Sequence, residues 1–152
     1  FNFTITFEIA KSSQNDIKNS NKSNQITNFE TNKFSKELNI LIVDDHPLII
    51  EGLKLLFSKT SEYEVVAGYK NSIDLFECKD LNSIDIILLD VFLKDENGID
   101  ICQKIAKKHP RITILGMSSQ AERSIILQML KNGANGYLLK ISRDGQPCDV
   151  RS

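Results

Sequence analysis

Three carboxylates at the ends of apolar runs are the residues in this 152-residue chain whose types and spacing could do chemistry. Asp90 closes Ile86-Ile87-Leu88-Leu89, and the pair Asp44-Asp45 closes Leu38-Asn39-Ile40-Leu41-Ile42-Val43. The run before Asp90 is too short for a comfortable helix. It lacks polar alternation, as expected of a strand buried on both faces of a parallel sheet. Open α/β sheets place their ligand sites at the carboxyl ends of strands. If the two strands are neighbours, the three acids therefore converge on one edge. Like charges that close repel strongly unless a cation joins them or a pKa rises. A hard, oxygen-seeking Mg²⁺ is the natural occupant of such a cluster.

The elements that must position these acids follow from Leu38 onward as strands alternating with helices. The first strand is Leu38 to Val43. Pro47 fits the first turn of a helix, where its missing N–H costs nothing, and Ile49, Leu53, Leu56 and Phe57 recur down one face. A second strand, Tyr63 to Gly68, precedes a short helix capped by Asn71 or Ser72 and holding Ile73 and Phe76. The third strand is Ile84 to Leu89. After Gly98 a helix presents Ile101, Cys102 and Ile105 inward, and His109-Pro110 stops it. The fourth strand is Ile112 to Met117. Ser119-Gln120-Ala121-Glu122 reads as a capping box ahead of a helix carrying Ile125, Ile126, Met129 and Leu130. Gly133 ends that helix, and Tyr137 to Leu139 is a short fifth strand. This alternation implies a doubly wound α/β fold with a five-stranded parallel sheet. The flavodoxin-like order 2-1-3-4-5 makes strands 1 and 3 neighbours and brings Asp44 and Asp45 beside Asp90.

The two ends of the chain have a different texture. Residues 1–36 read as a disordered or non-native leader, because Asn, Ser, Lys and Thr crowd Ser12 to Lys36 and little there can be buried. Within the leader, Phe3, Ile5, Phe7 and Ile9 alternate as a half-buried strand would, but no partner strand is apparent. The first residue is not methionine, which suggests a fragment or translated sequence upstream of the true start. Residues 37–140 form the folded domain. Residues 141–152 carry Gly145 and Pro147 and no apolar helical face, so a fifth covering helix is expected to be missing, through truncation or a frameshift. Leu138 or Leu139 should then be left wet.

Composition narrows the rest. Hydrophobic residues make up 41% of the chain, enough for a folded core, and a net charge of −1 gives no argument for bulk attraction to nucleic acid. No apolar stretch approaches the length of a membrane span, and no secretory signal is apparent. Cys78, Cys102 and Cys148 have no CxxC spacing and leave one unpaired, as expected of free thiols in a reducing cytosol.

Val43-Asp44-Asp45-His46-Pro47-Leu48, Leu88-Leu89-Asp90 with Gly98 eight positions on, Met117-Ser118, and Gly133-Ala134-Asn135-Gly136-Tyr137-Leu138-Leu139-Lys140 together resemble a response-regulator receiver domain of two-component systems. The Asp-Asp-His-Pro form and the Gly-Tyr-Leu-Leu-Lys ending are most similar to receivers of the NarL/FixJ (LuxR-type) subfamily. The likeness runs from Leu38 to Lys140, and four motifs in the right order make it specific. It implies a CheY-like fold in which Asp90 is the phosphoacceptor for a histidine kinase or phosphotransfer protein. Asp45 and Asp90, with the backbone carbonyl of Phe92, would ligate Mg²⁺ directly, and Asp44 would act through water. Lys140 would pair with the acyl phosphate, Ser118 would be the switch hydroxyl, and Tyr137 the aromatic whose rotamer follows it. A receiver is not an enzyme towards other substrates. It catalyses its own phosphorylation and slow dephosphorylation, in the cytoplasm, to control transcription. The relatives add a helix-turn-helix domain and a phosphorylation-dependent homodimer, so this stretch alone is expected to bind neither nucleic acid nor membrane. Leu93-Lys94 stands where many members have Met-Pro, which predicts a looser loop after Asp90.

Plainer readings stand beside these. The acidic pair could be a helix N-cap, Lys140 a solvated strand end, Ser118 a turn residue and Tyr137 packing. His46 reads as an exposed cap-region residue rather than a general base, and His109 as surface. An inert interaction domain without phosphotransfer is the alternative function. A phosphatase of the haloacid-dehalogenase type needs a second acid two residues after its nucleophile, and Phe92 stands there. Nucleotide binding lacks a Gly-rich loop after the first strand.

Overall fold

The computed structural model describes the backbone strand at residues 4–8 and the chain from 36 to 141. In chain order the elements are β1 (Thr4–Glu8), β2 (Leu38–Val43), α1 (Pro47–Phe57), β3 (Tyr63–Tyr69), α2 (Ser72–Glu77), β4 (Ile86–Asp90), α3 (Gly98–Lys108), β5 (Thr113–Ser118), α4 (Arg123–Lys131) and β6 (Gly136–Ile141). The sheet order is β1-β6-β5-β4-β2-β3. Without β1 this is the expected parallel order 2-1-3-4-5, with β2 flanked by β3 and β4.

The continuous apolar strands are explained by two cores. Leu41, Val43, Ile87, Leu89 and Ile114 point to one face, where Leu75 of α2, Ile101 and Ile105 of α3 and Met129 of α4 cover them. Ile40, Ile42 and Leu88 point to the other face and meet Ile49, Ile50 and Leu53 of α1. Successive strand residues are thus buried on alternate sides, which removes the polar alternation of a half-exposed sheet.

Local chemistry sets the element ends. Pro47 opens α1 as expected, and the Asn71 side chain caps α2 by accepting from the Asp74 amide at 2.9 Å. Gly133 follows α4 at φ +104°, a conformation that favours glycine. Asn135 then imitates a strand residue. Its amide donates to the Ile114 carbonyl at 2.7 Å, while its side-chain oxygen accepts from the Ile114 amide at 2.9 Å. This doubled bond sets β6 in register with β5 from Leu115↔Gly136 to Ser118↔Leu139.

Several expectations need correction. The strand carrying Asp90 begins at Ile86, because Leu81–Ser83 form a 3₁₀ turn that ends at Ile84. The capping box does not form: α4 begins at Arg123, and the side chain of its N-cap Glu122 makes no capping bond. The leader strand is not partnerless. β1 pairs antiparallel with β6, from Thr4↔Ile141 to Glu8↔Tyr137, so residues 4–8 are ordered into the sheet edge where a loose leader was expected. Leu138 is not wet but 5% exposed, packed in the α1-side core with Ile42, Leu88 and Met117. Leu139 is half-buried against the other core. The rest of the leader (1–3 and 9–35, with Phe3 and Ile9 of the expected strand) and the tail (142–152), including the question of a fifth helix, lie outside the described residues.

Asp85 stitches the entry to β4. Its carboxylate accepts from the Asn39 amide at 2.9 Å and from Lys36 Nζ at 3.3 Å. Its backbone bonds both Asn39 and Thr113. The Asn39 hydrogen bond, followed by Lys36, holds its carboxyl below the usual range. A lowered acid pKa contributes stability above the unfolded-state value near 4, and that contribution is lost as pH falls through the folded value. Asp85→Asn should therefore cost about 1 kcal/mol at pH 7, discounted for solvent screening. Urea titrations should show the gap to the parent closing on acidification below about pH 4. A gap independent of pH would contradict this role.

Candidate functional site

The sheet topology delivers the acids to one edge. β2 and β4 pair in register through Val43↔Leu89, so the residues that follow, Asp44 and Asp90, emerge side by side. Asp44 is fully buried and Asp90 is 3% exposed, rare values for carboxylates. From β6, Lys140 reaches between them, with Nζ 2.5 Å from Asp44 Oδ2 and 3.0 Å from Asp90 Oδ2. Lys140 is thus no solvated strand end.

Asp44 is held on its other side as well. Its Oδ1 accepts from the His46 amide at 2.9 Å, and the His46 ring Nδ1 lies 3.1 Å away. The same Nδ1 is 2.9 Å from Asp45 Oδ1. Neither aspartate caps α1: the N-cap residue is His46, without a side-chain capping bond. His46 is the site residue that sequence reasoning undervalued. It is a cap residue as expected, but its ring bridges two carboxylates instead of facing solvent. Its only sequence signal was its place directly after the acidic pair.

Asp90 Oδ1 accepts from the Phe92 amide at 3.2 Å, which brings the start of the β4–α3 loop against the acid. Burial pushes the Asp90 carboxyl up from its ordinary value, and Asp44 adds to that, while Lys140 and the Phe92 amide act against it. The loop is tighter than the missing proline predicted. Phe92 bridges to Asn97, the Gly98 amide donates to the Val91 carbonyl at 2.9 Å, and Leu93 is buried.

Ser118 ends β5, next to the Asp90↔Met117 pair, and is buried. Its Oγ accepts from the Gln120 amide at 2.9 Å, and the Tyr137 hydroxyl donates to the Gln120 carbonyl at 3.3 Å. Both side chains thus grip the same residue of the loop before α4. This explains the failed capping box: bonds from Ser118 and Tyr137 to Gln120 hold this loop ahead of the helix. Burial first, and then the charge of Asp90, raise the Tyr137 hydroxyl's pKa, against a hydrogen bond with Ser118.

The arrangement suits a hard cation. One ligand atom from each of Asp44, Asp45, His46 and Asp90 lies within 4.8 Å of the others. Three carboxylates against one ammonium leave the pocket short of positive charge. Asp45 Oδ1 is buried yet accepts no hydrogen bond, despite the nearby imidazole. An orphaned carboxylate oxygen in an oxygen-rich cluster fits Mg²⁺. Beside it, a pocket of about 330 Å³ lined by Asp45, His46, Leu93 and Lys94 opens to solvent.

A parallel doubly wound sheet with this acid–lysine cluster at its carboxyl edge defines the receiver class, and the sequence profile of the response regulator receiver domain matches residues 40–147. The chain belongs to that family. It is 33% identical over 104 residues to the transcriptional regulatory protein DegU of Brevibacillus brevis, covering 68% of this chain and 44% of that protein. It is 34% identical over 113 residues to the nitrate/nitrite response regulator protein NarL of Escherichia coli (strain K12), covering 73% of this chain and 50% of that protein. A two-component response regulator of the LuxR family from Aurantimonas sp. SI85-9A1 superposes with a TM-score of 0.62 at 26% identity, covering 67% of this chain and 73% of that one. The chain spans about half the length of the curated relatives it matches. Among the described residues no helix is long and apolar enough to cross a membrane.

Proposed function

We propose that this chain is a phosphoacceptor module that takes a phosphoryl group onto Asp90 from a histidine kinase or phosphotransfer protein. The observation that carries the reading is the convergence of Asp44, Asp45 and Asp90 with Lys140 at one sheet edge, where Asp45 Oδ1 accepts no hydrogen bond and has the His46 ring nitrogen 2.9 Å away. Asp44, Asp45, Asp90 and the Phe92 carbonyl would hold Mg²⁺, which neutralises charge on the in-line phosphoryl transition state.

The remaining steps belong to the chain's own groups. An Asp90 carboxylate oxygen attacks phosphorus, the bond from phosphorus to the donor nitrogen breaks, and the imidazole leaves with the electron pair. The product on Asp90 is an acyl phosphate. Lys140, already 3.0 Å from Asp90 Oδ2, meets its charge as a compact cation. The Ser118 hydroxyl accepts from Gln120, so its own proton is available for a phosphoryl oxygen. Turning it there trades that bond away and loosens the loop that Tyr137 also grips. The module is not an enzyme towards outside substrates; it catalyses its own phosphorylation and slow dephosphorylation. The name of one relative, a transcriptional regulatory protein, supports control of transcription, which would run through a DNA-binding domain separate from the receiver. The receiver itself works in the cytoplasm, binds neither nucleic acid nor membrane, and forms a phosphorylation-dependent dimer in the full-length protein.

With a small donor such as acetyl phosphate, intact-mass spectrometry should show one added phosphoryl group when Mg²⁺ is present and none after chelation. Mg²⁺ alone should raise the melting temperature, since tenfold its Kd stabilises by about 1.4 kcal/mol. Asp45→Ala should lose that shift. An unchanged mass with no melting shift would favour the inert interaction domain.

A further inference from the structure

The loop that leaves Asp90 is tethered to a neighbouring element of the same sheet edge. Glu96, half-buried near the end of that loop, accepts from the Ser72 amide at 2.8 Å and from the Ser72 hydroxyl. Ser72 is the first residue of α2, three residues after the end of β3, whose Tyr69 carbonyl accepts from the Asp44 amide at 3.0 Å. A first-turn amide has no partner within its helix, and a carboxylate is favoured there. Glu96 therefore gives α2 an acceptor, and α2 gives the loop an anchor.

What the anchor holds is the start of the loop. The Phe92↔Asn97 bridge and the Gly98-to-Val91 bond make residues 92–97 a closed unit, so fixing Glu96 constrains Phe92. Phe92 in turn donates its amide to Asp90 Oδ1. On its other flank the loop borders an open groove of about 480 Å³ shared with Ile125 and Gln128 of α4. Leu93 packs into the core there, while the polar end of the loop is left to the Ser72 contact. Lys94 and Asp95 at the tip are exposed.

We propose that Glu96 is a positioning residue: its double hydrogen bond to Ser72 fixes the loop whose Phe92 amide orients the Asp90 carboxylate. The relay runs from Ser72 to Glu96, across the bridged loop to Phe92, and then to Asp90. Glu96 touches none of the reacting groups. The proposal rests on Asp90 being the acceptor only for its effect on phosphorylation, since the relay itself exists without a donor.

Amide hydrogen exchange separates this role from a simple helix cap. In Glu96→Ala the Phe92 amide should exchange about tenfold faster while the amides of β4 keep their protection. Glu96→Asp keeps the charge but shortens the arm by one methylene, and should behave like the alanine variant. Glu96→Gln keeps an acceptor oxygen and should fall between. The initial rate of labelling by acetyl phosphate should follow the same ranking, with melting temperatures close to the parent. Faster exchange confined to Asp74 and Leu75, with Phe92 unchanged, would reduce Glu96 to a cap of α2 and overturn the proposal. If the parent takes no phosphoryl group, the function fails, but the exchange at Phe92 still decides the relay.

Discussion

Asp90→Asn should lower the initial rate of phosphoryl uptake at least about a hundredfold, because an amide offers no nucleophilic oxygen anion. The substitution preserves shape, so Phe92 can still donate to the remaining oxygen and Lys140 keeps Asp44. The fold should not suffer. Burial raises the Asp90 pKa, so the ionised acid is disfavoured in the folded state. For a raised acid the stabilising contribution is present below the unfolded value and is lost as pH rises through the folded one. Asparagine escapes that neutral-pH cost, and its melting temperature at pH 7 should equal or exceed the parent's. Labelling of parent and variant at the same rate would remove Asp90 from the mechanism. A variant that melts well below the parent would instead show that the carboxylate is needed to hold Lys140.

Gly98→Ala should cost the fold and the site together. A Cβ at Gly98 would stand 2.3 Å from the Asp90 carbonyl oxygen, 2.7 Å from Val91 Cα and 2.9 Å from the Val91 carbonyl oxygen. All three are backbone atoms, so no side chain can rotate aside. Either the start of α3 or the end of β4 must move. Alanine gains about 1 kcal/mol over glycine in a helix interior, and less at a first helical residue. Overpacking against rigid atoms costs about 1–3 kcal/mol or more, so the clash wins. The movement would fall on the residue that ends β4, Asp90 itself. Urea midpoints should drop, and phosphoryl uptake should fall at least about tenfold under conditions where the variant is still folded. Unchanged stability and unchanged uptake would show that this close approach is not required.

The parts legible in the sequence were those written in periodicity and in strand-end chemistry. Leu38 to Val43 and Ile84 to Leu89 read as strands, the second as doubly buried, and both faces of the sheet are indeed covered. Their terminal acids mark the edge once the strand order is known. Pro47, Asn71 and Gly133 acted where local rules place them. Ser119–Glu122 did not, because a capping box is a local preference and here Gln120 is held by two side chains of the neighbouring strands. The partner of β1 lay at the opposite end of the chain, where no window of sequence could show it. The Glu96–Ser72 tether is a pair of hydrogen bonds between a loop and the first residue of a helix and leaves no periodic trace. His46 could be seen beside the acids, but only folding turned its ring onto them.

The pairing of β6 with β5 stops at Ser118↔Leu139, one residue short of Lys140. Beyond that point the strand is a cantilever. Among the described residues, Lys140 and Ile141 are paired with Ile5 and Thr4 of β1. The last rung on the β5 side is also the residue whose hydroxyl faces Gln120, so the fulcrum of this short arm sits on Ser118. One residue of overhang is about 3.3 Å of lever. A tilt at Ser118 would therefore displace the ammonium that contacts both Asp44 and Asp90. The stiffness that resists the swing comes from a strand laid down at the other end of the chain.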